Sequence, residues 1–279
     1  MTKLQKREPR ILHRNPIRNI ILLGIVVGVI LPMIPQLVWS ISHRWYFPEM
    51  VPTEFSMRAW EYVGNPSTKV TRAFFNSLII SSVVTIIGVV IGLPAGKALG
   101  MYKFKLKWLV ELIILAPAIV PPLAATIGIQ VIFIRMGVAD TMTGVIIAHL
   151  IPTLPYMIVS LSGVFANYDP EFEEQARILG ANKAKTFLFI TLPAVFPGIV
   201  TGSMFTFLIS WGQYILTILV GGGRVITLPI LLFSFTGSGD NSIASALSIV
   251  FVLPAIIILF VTSKFLSGKS SGMGGFGSI

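Results

Sequence analysis

The sequence predicts an all-α, polytopic membrane protein with six transmembrane helices. Hydrophobic residues make up 54% of the 279 and charged residues only 11%, with a mean hydropathy of +0.85. A soluble domain of this length carries about 25% charged residues. The few charges also lie mostly between six apolar stretches, at 19–41, 73–96, 112–134, 141–167, 194–219 and 241–263. Each supplies the roughly 20 residues that cross about 30 Å of hydrocarbon.

Residues 1–18 form a basic tail holding Lys3, Lys6, Arg7, Arg10, Arg14 and Arg18. Basic flank and apolar stretch together resemble a signal peptide. Yet residues 19–42 lack Lys, Arg, Asp and Glu, a stretch longer than a signal core of about 7–15 residues, and no A-x-A site closes it. A retained first span is expected. The net charge of +10 does not point to nucleic acid, because the basic residues gather beside spans and those of the tail have no interleaved aromatic residues to stack bases. With the amino terminus inside, 15 of the 21 Lys and Arg fall in inner segments, including Lys97, Lys103, Lys105 and Lys107. Arg44, Arg58, Lys69, Arg72, Arg135 and Arg224 fall outside. That bias predicts cytoplasmic termini. Residues 19–264 form the membrane domain and 265–279 a Gly/Ser-rich cytoplasmic tail.

Span two carries Gly88, Gly92, Gly96 and Gly100, a four-residue spacing that stacks glycines on one face and lets a second helix approach. Gly24/Gly28 and Gly198/Gly202 repeat it once each. Pro94, Pro117, Pro121, Pro122, Pro152, Pro155 and Pro254 remove backbone donors within or at the ends of spans, and broken helices of this kind suit a gated pathway as well as static kinks.

The loop at 168–193 differs from every other. Asp169 can cap a helix with Pro170 at its first position, and Glu171, Glu173 and Glu174 complement the helix dipole. Phe172, Ala176 and Leu179 fall on one apolar stripe, and Gly180 stops the helix. A second amphipathic stretch runs from Asn182 to Ile190 before Pro193 opens span five. A simple connection needs about 2–8 residues. A short helix with both an apolar stripe and charges fits a groove on another protein; a helix lying on the membrane surface is the plainer reading.

Glu174, Gln175 and Ala176, then Gly180, then Ile190, Leu192 and Pro193 resemble the EAA loop of type I ABC importer permeases: E-A-A, three residues, G, nine residues, I-x-L-P. The match is gapless, with Gln175 in place of the first alanine. The resemblance implies six spans, cytoplasmic termini and a place in the bacterial inner membrane. It also implies a coupling role toward an ATPase dimer for Glu173, Glu174, Gln175, Ala176, Leu179, Gly180 and Ala181. One chain supplies one such loop, so a second permease, homologous or identical, is implied. An external binding protein would deliver a small solute at the outer loops 41–72, 135–142 and 220–240. The segment after span one is closest in look to the spermidine/putrescine branch. Where that branch often carries acidic residues, Gly212 and Gln213 stand here; the implied solute is a polyamine or another small organic or ionic molecule.

The chain offers no catalytic centre. Without cysteine it has no thiol nucleophile or Cys-based metal site. Gly268-Lys269-Ser270 resembles the end of a phosphate loop, but residue 263 is Ser and no strand precedes it. No cofactor is expected. Of the three isolated histidines, His13 and His43 flank span one, and His149 lies in span four, where an interhelical hydrogen bond is favoured over a solute contact. Glu111 reads as interfacial. The candidates for the solute pathway are Gln130, Tyr156, Ser210, Trp211, Gln213 and Tyr214. The alternative, an ion-coupled secondary transporter, would need mid-membrane ion ligands, and no Asp or Glu lies there. A membrane enzyme would need clustered catalytic groups.

Overall fold

The computed structural model describes residues 16–43, 45 and 48–269. His13, Arg44, the basic tail up to Arg14 and the Gly/Ser tail from Ser270 lie outside them. The described chain is helical, with one isolated bridge between Ser42 and Phe55. Helices α1 (Pro16–Ile30) and α2 (Met33–Ser40) form the first span, and α3 (Arg58–Gly64) is a short helix in the following connection. Next come α4 (Lys69–Met101), α5 (Lys107–Ile119), α6 (Pro122–Arg135) and α7 (Met142–Phe165). Helix α8 (Glu171–Ile178) leads to α9 (Lys183–Thr186), a π-helical turn (Phe187–Thr191) and α10 (Leu192–Trp211). Helices α11 (Ile215–Val220), α12 (Leu228–Gly237) and α13 (Asn241–Lys269) complete the order.

Among the described residues, five helical runs are long and apolar enough to cross a membrane: Asn19–Ser40, α4, α7, Lys183–Trp211 and Asn241–Phe265. The third expected span is bent by 102° between α5 and α6. Pro121 and Pro122 have no N–H to continue a helix, and proline drives the residue before it out of the α region. Val120 accordingly sits at φ −70°, ψ 136°. Span five starts earlier than expected, because the π turn carries the helix past Pro193, with the Leu192 N–H donating to the Phe187 carbonyl. It also breaks at Gly212–Tyr214. Residues 220–240, expected as loop, contain α12. At ten residues it is too short for a span, but Thr227 before it and Pro229 in its first turn are ordinary helix-start signals. Gly268 and Lys269 belong to the last turn of α13, not to a phosphate loop.

The core forms where α7 lies between α4 and α10. Met157, Leu161 and Phe165 of α7 are fully buried with Val195 of α10. The glycine face of α4 permits this closeness: a Cβ at Gly96 would stand 2.5 Å from Leu161 Cβ, and one at Gly100 2.7 Å from the Ser162 carbonyl oxygen. Gly198 and Gly202 of α10 meet Val164 and Met157 of α7. Gly24 and Gly28 meet nothing within 4 Å among the described residues, and the apolar side chains of α1 are largely exposed. Buried hydroxyls turn back onto their own helices, as Ser81 does to the Ser77 carbonyl (2.8 Å) and Thr85 to that of Ser81 (2.7 Å). At the end of the bundle opposite α8, Arg58 Nη2 reaches both Asp240 carboxylate oxygens at 2.8 Å. Ser77 Oγ accepts the Leu228 N–H at 2.9 Å, and Asn76 Nδ2 donates to the Ile226 carbonyl at 2.9 Å.

Gly96→Val overfills the α4–α7 contact at a cost of about 1–3 kcal/mol. It should lower the thermal aggregation midpoint in detergent, whereas Gly24→Val should leave it unchanged.

Candidate functional site

Two places combine unusual backbone with chemistry. The first is α8. Asp169 Oδ1 accepts the Glu171 N–H at 2.9 Å, and the acidic first turn follows. At the other end the Ala181 N–H reaches the Ala176 carbonyl and the Gly180 N–H that of Arg177, both at 3.0 Å, with Gly180 at φ 87°. This is a Schellman cap, whose left-handed position favours glycine. Glu173 turns inward and is 9% exposed. Its Oε1 accepts from Lys97 Nζ of α4 and from Thr191 Oγ1, both at 2.8 Å, and its Oε2 lies 3.5 Å from Arg177 Nη2. Burial by itself would raise the Glu173 carboxyl. The hydrogen bonds from Lys97 and Thr191, with the charges of Lys97 and Arg177, outweigh it and hold the group below the usual carboxylate value. Phe172, Ile178 and Leu179 point away and are 57%, 84% and 87% exposed. Glu174, Gln175 and Gly180 are exposed too, and Ala176 and Ala181 are half-buried.

The second place is a cavity of about 550 Å³ inside the elbow of α5 and α6. Pro117, Val120 and Thr126 line it from the elbow, Pro152 from α7, Phe233 from α12, and Gly212, Gln213 and Tyr214 from the break in span five. Tyr214 stacks on Phe233 with ring centroids 4.3 Å apart. No Asp, Glu, Lys, Arg or His lines it. Behind the break, His149 of α7 is 1% exposed and contacts Ser210 and Thr217, one on either side of the broken segment.

A family model described as the binding-protein-dependent transport system inner membrane component matches residues 88–269, about two thirds of the chain. The chain belongs to that family. It is the permease subunit of an ABC importer, a multi-pass inner-membrane protein that works with an ATPase held on a separate subunit and with a binding protein. The permease is 27% identical over 217 residues to the molybdenum transport system permease protein ModB of Mycobacterium tuberculosis, covering 72% of this chain and 81% of that one. It is 29% identical over 209 residues to the trehalose transport system permease protein SugB of the same species, covering 72% and 76%. A crystal structure of a bacterial ABC transporter involved in import of the acidic polysaccharide alginate superposes with a TM-score of 0.70 at 19% identity, over 95% of this chain and 99% of that one.

Within the permease, the six pathway candidates separate. Gln213 and Tyr214 line the cavity. Ser210 and Gln130 hold the broken span from behind, Ser210 against His149 and Gln130 by donating from Nε2 to the Leu219 carbonyl at 3.1 Å. Trp211 lies in the core, stacked between Phe207 and Phe251, with its Nε1 donating to the Phe251 carbonyl at 3.0 Å. Tyr156 is 43% exposed on the outside of the bundle beside Phe205. Glu111 pairs with Lys107 at 3.9 Å, one helical turn away. Ile178, absent from the expected coupling set, projects as far as Leu179. Its one-residue offset from the stripe hid it. Of the partners of Glu173, Arg177 lies one helical turn away, but Lys97 and Thr191 carry no local signal, lying 76 and 18 residues away.

Because the folded Glu173 carboxyl lies below its unfolded value, its stabilisation is complete above the unfolded value and is lost as pH falls through the folded one. Hydrogen-exchange protection of α8, corrected for intrinsic rates, should therefore persist down through the ordinary carboxylate range and fall only beneath it. Glu173→Gln should lose several-fold protection at neutral pH and converge with the native chain in acid.

Proposed function

We propose that this permease moves a small solute by alternating access, with α8 as the helix through which the ATPase drives it. One observation carries the reading: α8 is capped at both ends and anchored inward through Glu173, yet among the described residues Phe172, Ile178 and Leu179 stay exposed. A rigid apolar knob set in charged surroundings suits a groove on another protein. Glu174 and Gln175 stand exposed beside it for polar contacts. Ala176, Gly180 and Ala181 keep the helix narrow and its end sharp.

The α8 end faces the cytoplasm, together with both termini, because most Lys and Arg gather there. The ATPase dimer docks on that face. A second permease, homologous or identical, supplies the other coupling helix and closes the pathway along the cavity. The binding protein delivers solute at the opposite end, near α3, the 135–142 connection and α12. A polycation such as a polyamine needs carboxylates along its path, and the cavity lining has none. The reading favours a solute without multiple positive charges, as trehalose is for one relative's system.

In vesicles holding the permease, its partner permease, the ATPase and the binding protein, uptake should require ATP. Leu179→Arg, at a side chain that is 87% exposed, should insert normally yet lose most uptake and most ATPase co-purification. Full uptake with normal ATPase retention would overturn the coupling role, and ATP-dependent spermidine uptake would overturn the solute class.

A further inference from the structure

The break at Gly212–Tyr214 leaves a short helix to be held in place. Helix α11 has six residues, far too few to be stable alone. Its carboxy-terminal end is secured by the Gln130 side chain on the Leu219 carbonyl and by the Asp140 N–H on that of Val220, at 2.8 Å. Its start, next to the cavity, is stacked on α12 through Tyr214 and Phe233 and is tied to α7 by one buried ring. His149 Nδ1 lies 2.9 Å from Ser210 Oγ, at the end of α10, and Nε2 lies 2.9 Å from Thr217 Oγ1, in α11. The Thr217 hydroxyl donates to the Gln213 carbonyl at 2.8 Å.

Proton counting orders this chain. The one hydroxyl proton of Thr217 is spent on the Gln213 carbonyl, so Thr217 Oγ1 must accept from Nε2–H. Nδ1 of the neutral ring is then an acceptor, and Ser210 supplies the proton. The bonds run in one direction, from Ser210 through His149 and Thr217 to the Gln213 carbonyl, and end on backbone that the break has stripped of its helical partner. The Thr217 hydroxyl is the partner the fold supplies for that carbonyl.

We infer that His149 is a positioning residue, whose imidazole, protonated at Nε2, sets the break in span five and so the aim of Gln213 into the cavity. The inference rests on the cavity being the solute path. A leucine at 149 would fill the space but break the chain at both links. A glutamine keeps one donor and one acceptor.

The native chain has no cysteine, so Gln213→Cys gives a single thiol in the permease. Its labelling by a water-soluble methanethiosulfonate reagent would be timed in the assembled transporter, with any cysteines of the other subunits replaced. His149→Leu should change the rate by about fivefold or more, the scale of one interhelical hydrogen bond in a membrane. His149→Gln should restore it. Maximal uptake, measured with Gln213 intact, should follow the same order while the apparent KM for the loaded binding protein stays put. If His149→Leu does not assemble, Ser210→Ala and Thr217→Val each cut one link and should shift the labelling rate. A rate indifferent to every assembled variant, or altered as much by Gln as by Leu, overturns this inference alone. A thiol at 213 that no reagent reaches in the otherwise native chain overturns the cavity as an aqueous path, and this inference with it.

Discussion

Every backbone N–H and carbonyl that leaves a helix inside a bilayer must find a partner, because hydrocarbon offers none. Two of the permease's departures from straight helix, the 102° elbow and Gly212–Tyr214, border one cavity. At the elbow, two consecutive prolines remove the donors that would otherwise be stranded. At the second break, side chains from α6 and α7 take over: Gln130 serves a carbonyl of α11, and His149 reaches the break through Thr217. The irregular backbone thus borders the cavity and is tied down from behind.

The same economy governs α8. Its contact with the bundle is concentrated in Glu173, whose carboxylate gathers Lys97 of α4 and Thr191 of the π turn. The apolar side chains that a soluble helix would bury against its own protein point outward instead. Anchored on one side, α8 leaves its apolar side chains exposed on the other among the described residues.

Much of this was legible in the residues. The glycine spacing of α4 announced a close helix contact, which the structure places against α7. Asp169 and Gly180 marked the ends of α8 by rules that act within a few residues. His149, a polar ring in an apolar span, called for interhelical partners and has two. What stayed hidden depends on contacts distant in sequence or on the sum of small preferences. Trp211 and Gln213 are two residues apart in one polar run, yet one stacks in the core and the other faces the cavity, because the helix breaks between them without a proline to signal it. Helix α12 is apolar but too short to register as a span. Lys97 read as one more inside charge, since its carboxylate is brought near only by the return of the chain after α7.

The 33 residues of α4 form a rod of about 50 Å, considerably longer than the hydrocarbon is thick. Near one tip Lys97 grips α8; twenty residues along, Asn76 and Ser77 grip the backbone leading into α12. One helix thus ties the α8 end of the permease to the end that leads into α12, bypassing both the elbow and the broken segment. Displacement of one end is carried to the other along a single backbone whose hydrogen-bond ladder is interrupted at Pro94.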